Sequence, residues 1–197
     1  EVVGARGTLA GALSADRIVV DHEAVHVVAY GVKLDAEPGA LVVGRLGLAD
    51  LSIDRSEVTL KQRPPQPDSA PHFLPAGLHI TAPGFRLGPM LVTLQNGQRL
   101  EARSAQGTLE VTRWRLALEP LEVRGTDGLI TGSLALRAMQ PLGLRTDLRG
   151  EWRLPGDDFQ YRFRAVTRGN LDRLGADLYL DSPARLSFAG TLLDLTG

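Results

Sequence analysis

The alternation that decides the fold class is clearest in the stretch LGLRTDLRGEWRL, residues 142–154. Its leucine and tryptophan side chains all stand at even positions, and its arginine, aspartate and glutamate side chains all stand at odd positions. A period of two places successive side chains on opposite faces of a β-strand. The stretch therefore predicts a strand with one apolar face and one charged face.

The same period of two recurs on both sides of this stretch. Apolar side chains alternate with polar ones over residues 159–165, 176–181 and 186–192. No segment carries the 3.6-residue period of an amphipathic helix over ten or more residues, so the sequence predicts an all-β protein. The candidate strands upstream are Thr8–Leu13, Arg17–Val20, Val25–Leu34, Leu41–Ile53, Glu57–Lys61, Gly77–Thr81, Gly84–Leu87, Met90–Gln95, Arg99–Arg103, Gly107–Val111, Trp114–Leu118, Leu121–Arg124 and Leu129–Arg137.

Two local signals organise the chain further. Five prolines fall between Pro64 and Pro75, and residues 63–76 are predicted to form a long extended loop. Asn96-Gly97 is the strongest hairpin signal, because a type I′ turn needs positive φ at both central residues. We interpret residues 1–197 as a single elongated β domain. Because the apolar pattern still runs in residues 192–197, we expect the chain to be a segment of a longer protein.

An apolar sheet face must be buried against something, and this sequence offers no helix to cover it. The sheet can pack on a second sheet, close on itself, or fold along its length into a groove. About fourteen strands at ~4.8 Å spacing make a sheet ~65 Å long, whereas each strand spans only ~17–27 Å. These dimensions favour an elongated, curved, antiparallel-rich sheet that forms an apolar-lined groove, a shape called a β-taco. A closed β-sandwich with a sealed core, serving as a binding or structural module, is the alternative.

A groove of this kind suits the acyl chains of a phospholipid. Each methylene moved from water to an apolar site gains ~0.8 kcal/mol, so about thirty methylenes gain ~25 kcal/mol. Such binding is non-directional and needs no catalytic group, metal or cofactor, so the chain is not expected to be an enzyme. The candidate lining residues are Leu144, Leu148, Trp152, Phe159, Tyr161, Phe163, Leu178, Leu186 and Phe188.

The motif His22-Glu23-Ala24-Val25-His26 matches the H-E-x-x-H pattern of zinc proteases, in which two histidines one helical turn apart bind the metal. β-Branched residues crowd its flanks and favour a strand. On a strand the two histidines would stand ~13 Å apart, too far to share an ion at ~2.1 Å. We therefore predict no metal site, and a turn at Asp21–Ala24 between two strands.

Composition argues against several further classes of function. The chain has no cysteine, which excludes disulfides, thiolate zinc sites and thiol catalysis. Its formal net charge of −1 provides no field that would gather nucleic acid, so no nucleic-acid partner is expected. No apolar run approaches the ~18 residues of a membrane-spanning helix, so no membrane anchor is expected within this segment.

Several stretches resemble the TamB-like family, which belongs with AsmA-like and YhdP-like proteins. The resemblance begins in the region just after that family's membrane anchor, and it covers nearly the whole chain. The residues that carry it are Gly4–Leu13, Val25–Leu34, Gly44–Asp54, Phe73–Pro75 and Leu78–Ile80, together with Gly128–Leu136, Leu171–Leu180 and Gly190–Leu195, which resemble the family's repeating body.

The resemblance implies a function. TamB-like proteins are anchored in the inner membrane of Gram-negative bacteria and extend through the periplasm as long β-folded grooves. They are implicated in phospholipid transport to the outer membrane, and they partner TamA-like proteins in outer-membrane protein assembly. The contact with TamA lies in a C-terminal part that this chain is not expected to reach. The resemblance thus implies a periplasmic segment that shields acyl chains, with the anchor and the TamA contact assigned to no residue here.

Overall fold

A computed structural model describes residues 1–8, 11–21, 25–37, 45–61, 72–138, 142–153, 159–170 and 172–193. Within these ranges the chain forms β-strands and no helix, which confirms the all-β prediction. The strands are β1 (Val2–Val3), β2 (Arg6–Gly7), β3 (Ala12–Asp21), β4 (Val25–Ala36), β5 (Arg45–Leu60), β6 (His79–Leu87), β7 (Met90–Thr93), β8 (Arg99–Ala102), β9 (Ser104–Val111), β10 (Arg115–Arg124), β11 (Gly128–Arg137), β12 (Gly143–Arg153), β13 (Gln160–Asn170), β14 (Arg173–Ser182) and β15 (Leu186–Leu193).

All fifteen strands belong to one open, mostly antiparallel sheet. Its main order is β1-β3-β4-β5-β6-β9-β10-β11-β12-β13-β14-β15, so neighbours in sequence are usually neighbours in the sheet. β2 pairs with the edge of β3, and the hairpin β7–β8 pairs with the far end of β5. The described strands form no second sheet, which speaks against the closed sandwich.

The pairing of β5 explains the position of the proline-rich segment. β5 runs parallel to both β6 and β7, whereas its partner on the other side, β4, is antiparallel. A parallel pair needs a crossover of a dozen or more residues to bring the chain back. Residues 61–78 make that return. Residues 63–71 of the predicted loop lie outside the described residues, and residues 72–76 form no strand.

The predicted hairpin at Asn96-Gly97 is confirmed. It joins β7 to β8, with the amide of Leu94 donating to the carbonyl of Gln98 at 2.8 Å. Gly97 has a φ of +81°, in the left-handed region that glycine tolerates without steric cost.

Four strands each take the place of two strands that the sequence predicted. A β-bulge shifts the register between Ala82 and Phe85 in β6, and another shifts it between Leu118 and Leu121 in β10. One extra residue reverses the parity of every side chain that follows it. The prediction of two strands at each of these places was wrong, because a single bulged strand passes through. The predicted pairs of strands over residues 8–20 and 41–61 likewise resolve into β3 and β5.

A line of unusual backbone crosses the first strands of the sheet. Gly31 in β4 has a φ of +60°, and a methyl group added there would lie 2.1 Å from a carboxylate oxygen of Asp54 in β5. Asp16 occupies the equivalent level in β3, opposite Gly31. The kink at Gly31 breaks the alternation of β4, because Ala29 and Val32 are both buried although they stand three residues apart.

The buried residues form two clusters within this single layer. One contains Ala36, Leu48 and Ala82, and the other contains Phe85, Ala105 and Leu121. No large side chain among the described residues is fully buried. The chain exposes 12562 Å², against ~9,100 Å² expected for a compact monomer of 21.2 kDa. The sheet therefore lacks the closed core of a two-layer domain.

Candidate functional site: the apolar face of the sheet

The strand register aligns the apolar residues into rungs that cross nine strands, from β5 to β15. Residues that face each other across strands lie on the same side of the sheet. A first rung consists of Leu51, Phe85, Gly107, Leu121, Gly132, Leu148, Ala165, Leu178 and Phe188. We call the side of the sheet that carries this rung the apolar face, and the opposite side the charged face.

Two further rungs on the apolar face also contain no polar side chain. One consists of Ile53, Leu87, Ala105, Val123, Ile130, Gly150, Phe163, Leu180 and Leu186. The other consists of Leu46, Ile80, Val111, Leu116, Leu136, Leu144, Gly169, Leu174 and Leu192. Nine strands at ~4.8 Å spacing give these rungs a length of about 38 Å.

Two polar side chains that lie on the apolar face form a hydrogen bond with each other. Between the first and third rungs, Thr146 of β12 stands opposite Thr167 of β13. Their hydroxyl oxygens are 2.9 Å apart, so one donates a hydrogen bond to the other. A paired hydroxyl costs far less in an apolar environment than an unpaired one. This pair therefore does not interrupt the apolar character of the face.

Aromatic rings on the apolar face lie against glycines of the neighbouring strands. A methyl group on Gly150 would lie 2.5 Å from a ring carbon of Phe163, and one on Gly128 would lie 2.4 Å from the Trp152 indole. Both glycines face these aromatics directly in the register. Each ring thus covers backbone that has no side chain of its own. The rings of Phe163 and Trp152 therefore lie along the surface of the sheet instead of projecting away from it.

Exposure of the apolar face rises toward β15. In the first rung the exposed fraction is 4% for Phe85 and 9% for Leu121, but 45% for Leu178 and 66% for Phe188. Leu178 has paired strands on both sides, so its exposure is not an edge effect. Leu186 and Leu192, in the other two rungs of β15, are 63% and 49% exposed. An uncovered apolar surface of this size typically marks a binding surface.

The structure brings eight of the nine predicted lining residues onto this face. Leu144, Leu148 and Trp152 come from β12, Tyr161 and Phe163 from β13, Leu178 from β14, and Leu186 and Phe188 from β15. Phe159 precedes β13, outside the paired strands, and is 58% exposed. That these residues line a lipid site stays a prediction.

Sequence reasoning missed the more buried half of the same surface. Phe85 and Leu121 each lie just after a β-bulge, where the alternation changes from even to odd positions. Each bulge separates an alternation with apolar residues at even positions from one with apolar residues at odd positions. A search for two such alternations joined by Pro83-Gly84 or by Glu119-Pro120 would have found Phe85 and Leu121.

The charged face of β12 and β13 carries a bidentate ion pair. The guanidinium of Arg164 in β13 donates two hydrogen bonds to the carboxylate of Asp147 in β12, at 2.9 and 2.6 Å. These bonds lower the pKa of Asp147 below its ordinary value, with smaller contributions from the charges of Arg164, Arg149 and Arg168. They also raise the pKa of Arg164.

This pair makes stability depend on pH in the acid range. Because the pKa of Asp147 is lower in the folded chain, its carboxylate stabilises the fold above the unfolded carboxyl pKa of about 3.9 and loses that effect as pH falls through the folded pKa. Asp147→Asn should therefore unfold at lower denaturant than the wild type at pH 7, and the difference should vanish near pH 2. Asp177→Asn on the same face is the control, and an Asp147→Asn deficit that persists unchanged in acid would contradict the assignment.

The H-E-x-x-H motif lies only partly within the described residues, so its failure to bind a metal stays a prediction. Residues 22–24 lie outside the described residues, but His26 lies in β4, a strand. Its Nδ1 is 3.1 Å from Asp21, which also binds the Lys61 ammonium, and both contacts lower the pKa of Asp21. Asp21 faces His26 across β3 and β4, so the chain reverses between them. No group of potential metal ligands occurs among the described residues.

Comparisons with models of protein families, with curated proteins and with solved structures gave no match. The described residues contain no helix long and apolar enough to span a membrane. The function proposed for this chain rests on the apolar face.

Proposed function

We propose that the chain is a periplasmic segment of a TamB-like envelope protein that shields phospholipid acyl chains. In this proposal the sheet curves so that its apolar face lines a groove, and lipid moves along the rungs from the inner toward the outer membrane. A role in outer-membrane protein assembly, with a TamA-like partner, belongs to regions outside this chain, as does the inner-membrane anchor. Shielding of this kind needs no catalytic group.

One observation carries the proposal. Three rungs without a polar side chain cross nine strands, and all three are exposed where they reach β15, at Phe188, Leu186 and Leu192. In β14, Leu178 is exposed and Leu174 is buried. Each Å² of apolar surface left in water costs about 25 cal/mol, so such a surface needs a cover. An open sheet without a second layer supplies none from its described strands. Acyl chains match this surface because they are apolar along their length and make no directional demands.

Two neighbouring residues of β14 provide a matched test. Leu178 lies on the apolar face and Tyr179 on the charged face, with exposed fractions of 45% and 44%. A benzophenone-bearing phenylalanine replaces each residue in turn, in cells grown with ³²P-phosphate. After irradiation, position 178 should carry labelled phospholipid and position 179 should not. Equal labelling of the two positions, or none at either, would contradict the proposal.

A further inference from the structure

The charged face of β12 and β13 carries an arginine patch, which consists of Arg145, Arg149, Arg162, Arg164 and Arg168. The register sets Arg145 opposite Arg168, and Arg149 opposite Arg164. Facing residues of an antiparallel pair have Cβ atoms ~4.5–5.5 Å apart, and like charges there destabilise the pair. Two such arginine pairs therefore lie on one surface, four residues apart along the strands, with Asp147 and Val166 between them.

The acidic residues nearby leave most of this charge uncompensated. Asp147 is bound bidentately to Arg164 alone, and Glu151 accepts a hydrogen bond from Gln160 at 2.9 Å. Arg145, Arg149 and Arg168 make no ion pair with any residue that the structure describes.

Elsewhere on the charged face, some arginines have carboxylate partners. Arg86 is 2.7 Å from Asp50, and Arg124 is 2.8 Å from Glu122. Arg115 is 3.5 Å from Glu110. The arginine patch differs from these paired arginines, since its two facing pairs contain four guanidinium groups and a carboxylate binds one of them.

The surface between these side chains is concave. A shallow depression of about 500 Å³ is lined by Arg149, Arg162 and Arg164 and also by two acidic residues, Glu151 and Asp181. A guanidinium presents its N–H groups as a fork that matches two oxygens of an anion. A carboxylate has only two oxygens and satisfies one fork. A phosphate group has enough oxygens to accept from two facing forks at once.

We propose that the arginine patch binds phosphate groups, either those of anionic phospholipid headgroups in a bilayer or free phosphate. The patch lies on the face opposite the apolar rungs, so its ligand is not the headgroup of a lipid held on the apolar face. This site is independent of the proposed groove. Either one can exist without the other.

The test compares two double variants that remove the same charge from the same face. Arg145→Gln with Arg149→Gln changes the patch, whereas Arg115→Gln with Arg124→Gln removes arginines that have carboxylate partners. Binding to phosphatidylglycerol vesicles should fall about thirty-fold in the patch variant, beyond any binding to phosphatidylcholine vesicles. The control variant should bind like the wild type. Circular dichroism verifies that both variants are folded.

A second measurement identifies the source of the phosphate. Inorganic phosphate is added to the wild type and to both double variants, with chloride at equal ionic strength as the reference, and the melting temperature is recorded. A rise in the wild type and the control variant but not in the patch variant identifies free phosphate as a ligand. Vesicle binding without such a rise identifies the bilayer headgroup. Equal losses in the two variants, or binding of neither probe by the wild type, would overturn the proposal.

Discussion

Replacing Leu148 with arginine is expected to lower phospholipid retention by on the order of 100-fold while the sheet stays folded. Leu148 stands at the middle of the first rung, between Gly132 and Ala165, and it is only partly buried by protein. An arginine there can reach water when no lipid is bound, so its cost to folding is small. Among acyl chains the same guanidinium costs about 3 kcal/mol.

The measurement is the phospholipid recovered with the purified protein, quantified by mass spectrometry and compared with the circular dichroism spectrum and melting temperature. Ser133→Arg is the matched control. It adds the same charge, but Ser133 lies on the charged face of β11, opposite Asp147. If a folded Leu148→Arg variant retains as much phospholipid as the wild type, that result would count heavily against the proposed lipid groove. Complete unfolding of that variant would instead indicate a sealed environment around Leu148.

The sequence predicts the last five strands well because little there disturbs the period of two; the pairing of β13 with β14 shifts once, between Arg162 and Phe163. Over β11 to β15 the register keeps most leucines and aromatics on one side, with Leu129 and Tyr179 as exceptions, and residues such as Arg149 and Arg164 on the other. Each of these strands alternates without a bulge over most of its length. The alternation along each strand therefore predicts which residues share a face of the sheet.

Further upstream, two features of the structure have no local signal that identifies them uniquely. Pro83-Gly84 and Glu119-Pro120 resemble turns, because proline and glycine favour turns as well as bulges. Only the pairing with neighbouring strands distinguishes the two, and that pairing is a long-range property. The parallel partnership of β5 and β6 is also long-range, since it follows from the crossover at residues 61–78 and not from the composition of either strand.

Prediction of the candidate site likewise depends partly on local sequence and partly on long-range strand pairing. The type of surface could be predicted from residues 142–192, because apolar alternation is local. Which side chains meet across strands could not, and this decides that Phe163 covers Gly150 and that Thr146 pairs with Thr167. The arginine patch was also missed, because arginine at alternate positions is typical of any solvated strand. It becomes distinctive only when the register sets Arg149 against Arg164.

The glycine at the centre of the first rung leads to the largest expected effect on stability. Gly132 in β11 has a φ of +146°, a conformation that side-chain-bearing residues rarely adopt. A methyl group there would lie 2.0 Å from the backbone carbonyl oxygen of Asp147 and 3.0 Å from the Cα of Leu148. Backbone atoms of a paired strand cannot move aside independently. Gly132→Ala should therefore destabilise the fold by about 3 kcal/mol, seen as a fall of roughly 6–12 °C in melting temperature.

Gly175→Ala in β14 is the control for the general cost of a methyl group in a strand. A Cβ there meets nothing closer than the carbonyl oxygen of Arg168, at 3.4 Å, so stability should change by less than about 1 kcal/mol. If Gly132→Ala melts at the same temperature as Gly175→Ala, β11 and β12 do not approach as closely as this register requires. If it alone is destabilised, glycine is required where Leu121 and Leu148 flank it on the apolar face. The alternation of large residues with glycine along that rung then serves the close packing of the strands, and the smooth apolar surface is its consequence.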